Sequence, residues 1–478
     1  MSRDSYFQYL PREDTLMLRE AHVAGACRLH FGQNPLKIVR SQGQFLYDDI
    51  GQEYLDCCSR ITNVGHCHQE ILEVACRQLG RFTACNVESV NNDEQIKYCQ
   101  RLLNTLPDNF QVCLFTNSGS EANDLALQLA RAHTGRQNIV VVDAAYHGTV
   151  NLLLDISPRA FMLGSEKKPW VHVIPFPDTY RGKFSADDPQ AAQKYAEAAR
   201  AILEPHRNNI ATLICEPVFV VHGAVVPPPG WLGLMYDYIR EIGGVVIADE
   251  IQCGMGRTGS HFWAFQTQGA IPDIITVGKP MGNGMPIGAV ITSRKIAECL
   301  NCLDDNRYQC DPVSAVVGQA VLNIMEKEQC QLNALTMGRL LVDRLTQLQR
   351  NHPNIGLVRG IGLMIGVDIV WCQESRRPAP ELAEKISYRM KEAKIIVANE
   401  GENGNVLLFL PAMCLTTENV LFIVSTLNRI LSTLQMDSSP DIMNLLLPQT
   451  SDNLIQQWPD SSGDSDTSSP AASYNAMD

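Results

Sequence analysis

The sequence predicts an α/β fold, with a mostly parallel sheet in a large domain and a smaller α+β domain beside it. Three observations lead there. First, "VCLFT" (112–116), "NIVVVD" (138–143), "ATLICEP" (211–217), "GGVVIADE" (243–250), "DIITVG" (273–278) and "GAVITS" (288–293) are mostly apolar throughout rather than alternating. Strands of that kind need helices over both faces of their sheet. Second, helical patterns fall between them, such as 121–135, closed by Gly135, and 191–206. Alternation of strand and helix favours parallel pairing. Third, the pattern changes after about residue 312, where a long helical stretch from Val313 through Leu348 precedes "GLVRGIGLMIGVDIV", a strand pair interrupted by glycines. A further helix and strand and a closing helix, "TTENVLFIVSTLNRILSTL", complete that segment.

At the other end, "KIVRSQGQFLYDDIGQEYLDCCSR" alternates apolar and polar residues around "DDIGQ", a hairpin pattern. The expected division is an N-terminal segment and hairpin of the small domain (1–60), a large domain (61–311), a C-terminal small α+β domain (312–436) and a disordered acidic tail (437–478). The tail runs from Asp437 to Asp478 without one Lys or Arg, so the folded body is less acidic than the net charge of -13 suggests. That balance argues against nucleic acid, whose phosphates need clustered Lys and Arg, and leaves an anionic small molecule open. Sixteen cysteines form no disulfide-like framework, and "MSRDSYFQYLPRED" has no apolar secretory core. We expect a reducing intracellular compartment, cytosol or mitochondrial matrix, and no membrane span.

Four stretches carry chemistry. "FTNSGSEANDLAL" opens a helix after a buried strand, so Gly119, Ser120 and their neighbours suit a phosphate at a helix N-terminus. Ordinary helix capping by Ser before Glu explains the same residues. The loop matches neither the nucleoside-triphosphate nor the dinucleotide glycine pattern. "DAAYHGTV" adds Tyr146, able to stack on a planar ring, and His147, although both residue types also serve as core packing. "GGVVIADEIQCGMGRTG" ends a buried strand with Asp249 and Glu250, followed by Gln252; by alternation Asp249 and Ile251 share one face while the strand lasts. A buried carboxylate needs a cation or hydrogen-bond donors, either a protonated ring nitrogen or an Arg. "DIITVGKPMGNGMP" places Lys279 at the mouth of the next strand, before a glycine-rich turn.

Together "TNSGSEAND", "YHG", "IADEIQCGMGRTG" and "VGKPMGNGMPIGAV" resemble the class III aminotransferases, enzymes of fold type I that use pyridoxal 5'-phosphate. The resemblance covers about residues 12 to 436. Within it, "DTLMLREAH", "DPVSAVVG", "PDTYRGK" and "LPAMC" are closest to a phospho-lyase branch, which includes ethanolamine-phosphate and 5-phosphohydroxy-L-lysine phospho-lyases and is also labelled alanine–glyoxylate aminotransferase 2-like. It implies that Lys279 binds the cofactor covalently and then carries protons at the substrate carbon, from a desolvated strand end that lowers its pKa. It further implies that Asp249 holds the ring nitrogen's proton, Gln252 bonds the ring phenolic oxygen, Tyr146 stacks on the ring, and Gly119 and Ser120 hold the cofactor phosphate. His147 and Glu216 would line the pocket. The family site lies between two subunits, so the resemblance implies a homodimer or a dimer of dimers.

Departures from the family pattern concentrate around the substrate. "NRYQCDPVS" puts Arg307 where relatives have a Thr that reaches the neighbouring subunit's cofactor phosphate, and Arg307 can take that role as a bidentate phosphate partner. Leu408 and Leu410 stand where relatives carry a cation, Arg60 is introduced, and "CNVESVNNDE" drops an Arg and an aromatic. Cys57, Cys58, His66, Cys67 and His68 match no common zinc spacing, and we assign no metal. The function expected is a phospho-lyase releasing phosphate, ammonia and an aldehyde from a small phosphorylated amine. Its rivals are transamination to a keto acid, with Arg60 or Arg257 as carboxylate clamp, and a catalytically weakened relative kept as a binding partner.

Overall fold

Apolar runs that alternate only in which side they cover build the centre of the molecule. The computed structural model describes residues 9–82, 92–162, 164–300 and 310–436. Arg307 and the expected tail, 437–478, lie outside the described residues, and so does most of "CNVESVNNDE". The described chain through Ser432 packs as one compact unit.

A first sheet begins with β1 (Ile38–Gln42), β2 (Phe45–Asp48) and β3 (Glu53–Asp56). The turn between β2 and β3 is held by Asp48, whose Oδ1 accepts from the amides of Ile50 and Gln52 at 3.2 and 2.8 Å, with Gly51 at φ 81°. The central sheet contains β4 (Val112–Thr116), β5 (Asn138–Val142), β6 (Val171–Ile174), β7 (Ile210–Cys215), β8 (Val245–Asp249), β9 (Ile274–Val277) and β10 (Gly288–Thr292). Two hairpin strands follow, β11 (Ile355–Ile361) and β12 (Met364–Ile369), then β13 (Ile395–Ile396), β14 (Ala398–Glu400) and β15 (Val406–Phe409). β13 completes the first sheet in the order β1-β2-β3-β13, and β11-β12-β15-β14 form a third.

The central sheet has the order β4-β10-β9-β8-β7-β5-β6. Its middle is parallel, as expected, but β10 runs antiparallel to both β9 and β4. Two reversals restore direction, so β4 points the same way as β9, and β4, β5, β7, β8 and β9 all end at one edge. Ligands of open α/β sheets bind at that carboxyl edge.

Both faces of the sheet are covered. Ile139, Val141, Ile214 and Ile247 pack with Leu125, Leu129 and Ala130 of the helix Gly119–Thr134. Their neighbours Val140, Val142, Leu213 and Val246 pack on the other side with Ala196, Ala199, Met235 and Ile239. The latter come from the helices Ala191–Leu203 and Trp231–Glu241. Period-two alternation here separates two apolar faces, which is why the strands read as continuous apolar runs.

Two expectations need correction. Val171–Ile174 is an additional edge strand, hidden in the sequence because His172 interrupts its apolar run. The single helical stretch 313–348 is two helices, Pro312–Lys327 and Cys330–Asn351, separated at Gln329, which adopts a left-handed φ of 53°.

Arg257 ties the sheets together. It is fully buried, and its guanidinium donates to the carbonyls of Leu363 and Pro411 at 3.3 and 2.8 Å and to Asn63 Oδ1 at 2.5 Å. Burial lowers its pKa to about 10. Both of its terminal nitrogens are committed to these acceptors, which argues against a role as substrate clamp. Arg257→Met should lower unfolding stability in urea by about 2–4 kcal/mol, because buried acceptors lose their donors.

Candidate active site

The carboxyl edge of the central sheet surrounds a cavity of about 340 Å³. Each strand end contributes to it: Gly119 and Ser120 after β4, Tyr146 and His147 after β5, Glu216 after β7, Asp249 and Gln252 from β8 and its turn, and Lys279 after β9. Eight of the nine residues the sequence nominates therefore line one space. The ninth, Arg307, lies outside the described residues.

The loop after β4 is shaped by close packing. Ser118 Oγ accepts from Glu121 N at 3.2 Å and its carbonyl from Ala122 N at 3.0 Å, which leaves the amides of Gly119 and Ser120 as the free end of the helix. A Cβ on Gly119 would come within 2.7 Å of the Ile251 side chain, and one on Gly278 within 3.2 Å of the Gly119 backbone. The anion-favouring helix end and the lysine strand therefore meet in close contact, and a side chain at either glycine would crowd its neighbours.

Asp249 is buried and held by three partners while still lining the cavity. Its Oδ2 accepts from Asn123 Nδ2 at 2.8 Å and lies 2.8 Å from His147 Nδ1, while Oδ1 accepts from Ile251 N at 3.1 Å. Asn123 Nδ2 also donates to the His147 carbonyl at 2.7 Å. Among the described residues the carboxylate's partners are these groups, and no arginine pairs with it. Glu250 faces away and accepts from the amides of Ala264 and Phe265 at 2.8 Å each. The strand ends at Asp249, so Gln252 turns back into the cavity instead of following Glu250.

Lys279 follows β9 after Gly278, at φ 22°, a sparsely populated conformation for a side-chain-bearing residue. Burial lowers its amine pKa below the ordinary lysine value, and the nearby Asp249 carboxylate opposes that shift only in part. Burial pushes the Glu216 carboxyl well above its usual range, with Asp249 adding to the effect. The direction is the same for the Tyr146 phenol, again mainly through burial. The cavity thus favours neutral forms of its acid and its amine.

Three groups that line the cavity keep a buried polar atom without a partner: His147 Nε2, Glu216 Oε1 and Gln252 Oε1. Such atoms cost free energy unless a ligand satisfies them. A flat aromatic ring bearing a phosphate, an aldehyde and polar ring substituents suits this set. The helix end suits the phosphate, Asp249 a protonated ring nitrogen, Lys279 the aldehyde, and the orphaned atoms the rest.

Other candidates are elsewhere. Leu408 and Leu410 pack in an apolar cluster with Val218, Val220, Cys253 and Met364 and bring no charge. His66 Nε2 lies 2.9 Å from Asp56, and His68 Nε2 lies 3.0 Å from Glu328, so the two histidines serve separate carboxylates. Arg60 pairs with Glu400. Sequence reasoning missed Asn123, the residue that fixes Asp249. Its signal is present: a fully buried amide on a helix face otherwise filled by Ala122, Leu125 and Ala126.

Fold and site define a pyridoxal-phosphate-dependent enzyme of fold type I. Residues 30–431 match the class-III aminotransferase family, and the chain belongs to it. It is 40% identical over 424 residues to the alanine–glyoxylate aminotransferase 2-like protein of Drosophila melanogaster, covering 86% of this chain and 85% of that one. It is 35% identical over 441 residues to the ethanolamine-phosphate phospho-lyase homolog 1 of Caenorhabditis elegans, covering 88% and 94%. Among solved structures, an Arthrobacter phospholyase in complex with phosphoethanolamine superposes with a TM-score of 0.82 at 32% identity, covering 88% of this chain and all of that one.

The raised pKa of Glu216 has a direct test. Glu216→Gln, a neutral isostere, should keep cofactor absorbance and turnover within about threefold of the parent near neutral pH, whereas an ionised carboxylate at this position would make the loss far larger.

Proposed function

We propose that the protein is a phospho-lyase acting on a small phosphorylated amine of the phosphoethanolamine or phosphohydroxylysine type. The observation that carries the reading is the lysine of lowered basicity at the edge of a cavity lined by unpartnered polar atoms, in a chain 32% identical to a phospholyase solved with phosphoethanolamine. Leu408 and Leu410 bring no cation and the terminal nitrogens of Arg257 are committed to the fold, which removes two of the places where a keto-acid carboxylate could be clamped.

Pyridoxal phosphate supplies an electron sink for the pair left when a C–H bond beside the amine nitrogen breaks. In our reading Gly119 and Ser120 hold its phosphate, Tyr146 covers one ring face, and Gln252 and Asp249 bond the ring's phenolic oxygen and nitrogen. His147 and Asn123 orient Asp249. Lys279 Nζ takes the proton from the carbon bearing nitrogen. The C–O bond on the adjacent carbon then breaks, and phosphate leaves with its electron pair. Protonation of the released enamine and addition of one water give an aldehyde and ammonia, so no oxidant or keto acid enters the balance. We place this chemistry in a homodimer, with Arg307 of one subunit serving the cofactor phosphate of the other.

Purified holoenzyme given phosphoethanolamine or phosphohydroxylysine, without a keto acid, should release phosphate and ammonia in equal amounts. Lys279→Ala should lower the rate by about 10²–10⁴-fold, the usual loss when a positioned acid–base group is removed. Phosphate release from neither substrate would remove the assignment, and amino transfer strictly dependent on a keto acid would replace it with transamination. The lysine's chemistry can be read separately. Only the neutral amine attacks an aldehyde, so recapture of cofactor by apoprotein should accelerate as pH rises, with a midpoint below the ordinary lysine value of 10.5.

A further inference from the structure

Three charged side chains meet beside the cavity, and the reaction steps above use none of them. Arg60 precedes Ile61, which lines the cavity; Arg159 lies in the short helix Pro158–Met162; Glu400 ends β14. Arg60 Nη2 pairs with Glu400 Oε1, and Arg159 Nη1 lies 3.5 Å from Oε2 of the same carboxylate. The Glu400 side chain is 13% exposed, against 25% for Arg60 and 48% for Arg159, so the carboxylate is the buried hub and the guanidiniums face outward from it. Among the described ion pairs neither arginine has a second acid, and the cluster carries one uncompensated positive charge.

None of the three side chains lines the cavity itself, but the cluster adjoins it through Ile61. The charge of Arg60 acts on both Lys279 and Glu216, and that of Arg159 on Tyr146 and His222. Both arginines therefore stand within electrostatic reach of the cavity wall, from two different parts of the chain. Lys279 is committed to the reacting carbon, Arg257 to backbone carbonyls, and the segment before Pro411 is apolar.

We propose that Arg60 and Arg159 form the subsite for the phosphate of the substrate, and that Glu400 is the counterion this phosphate displaces. The choice of phosphate rests on the phospho-lyase reading. Guanidinium forks suit a tetrahedral dianion, which can offer each arginine more than the shared carboxylate does. A resident carboxylate also sets a threshold. An amine with a neutral tail cannot displace Glu400, so the pair selects against it by leaving the arginines occupied.

Calorimetric titration of holoenzyme with inorganic phosphate tests the subsite without turnover, because the cofactor's own phosphate already fills the other anion site. Arg60→Gln and Arg159→Gln should each weaken phosphate binding by about tenfold, the scale of one lost charge-assisted contact, and Glu400→Gln should tighten it by a similar factor. A misfolded variant would not bind more tightly, so the opposite sign for Glu400→Gln guards against a purely structural effect. No measurable binding to the parent protein overturns the proposal, as does binding left unchanged in the double arginine variant or weakened by Glu400→Gln. If phosphate binds as expected while no phosphorylated amine is turned over, the subsite stands and the lyase reading falls. If phosphoethanolamine is turned over with KM unchanged in the double variant, the lyase reading stands and the subsite falls.

Discussion

Burying the carboxylate of Asp249 at the end of an apolar strand is the constraint from which much of this site follows. An ion in that position needs donors on every side, and the fold brings them from three places: the amide two residues on, the imidazole of His147 after β5, and Asn123 one turn into the helix after β4. Holding that carboxylate therefore brings three strand ends into register. The same contacts set the position of the helix end that suits an anion, and Gly119 and Gly278 let the lysine strand close against it.

The electrostatics follow from the same burial. Asp249 accepts direct hydrogen bonds from three groups, while among the described residues the Glu216 carboxyl has a long contact from Val220 N at 3.4 Å, and burial pushes its pKa up. Two acids at neighbouring strand ends thus sit in different surroundings, one rich in hydrogen-bond donors and the other poor in them. The amine of Lys279, desolvated beside them, gains nucleophilicity near neutral pH. Tuning of this kind costs stability locally, and the apolar clusters on both faces of the sheet provide the stability that offsets it.

Much of this was legible in the sequence because it is local in the chain. Each of the six nominated strands is present, and eight of the nine nominated residues fall together because each ends or follows a strand that terminates at the same edge. What was hidden depends on tertiary partners. His172 makes β6 look polar until its contact with Asn138 Nδ2, at 2.8 Å, shows how a polar side chain is satisfied there. Gln329 carries no sign that it will adopt a left-handed turn between two helices. Arg60 and Glu400 are 340 positions apart, and no periodicity links them. Arg257 has the look of a ligand-binding cation, and only its three acceptors show that it braces the interior.

The antiparallel course of β10 carries a consequence for how this scaffold tolerates change. Lys279 and the cavity-lining stretch Met285–Ile287 belong to one short hairpin connection, not to a crossover with a helix in it. Crossovers absorb added length on the outer surface of a sheet, well away from the strand tips. This connection carries both the amine and part of the cavity wall, so a residue gained or lost in it falls at the site itself. Length variation among descendants of this fold should accordingly spare this segment and accumulate behind the sheet.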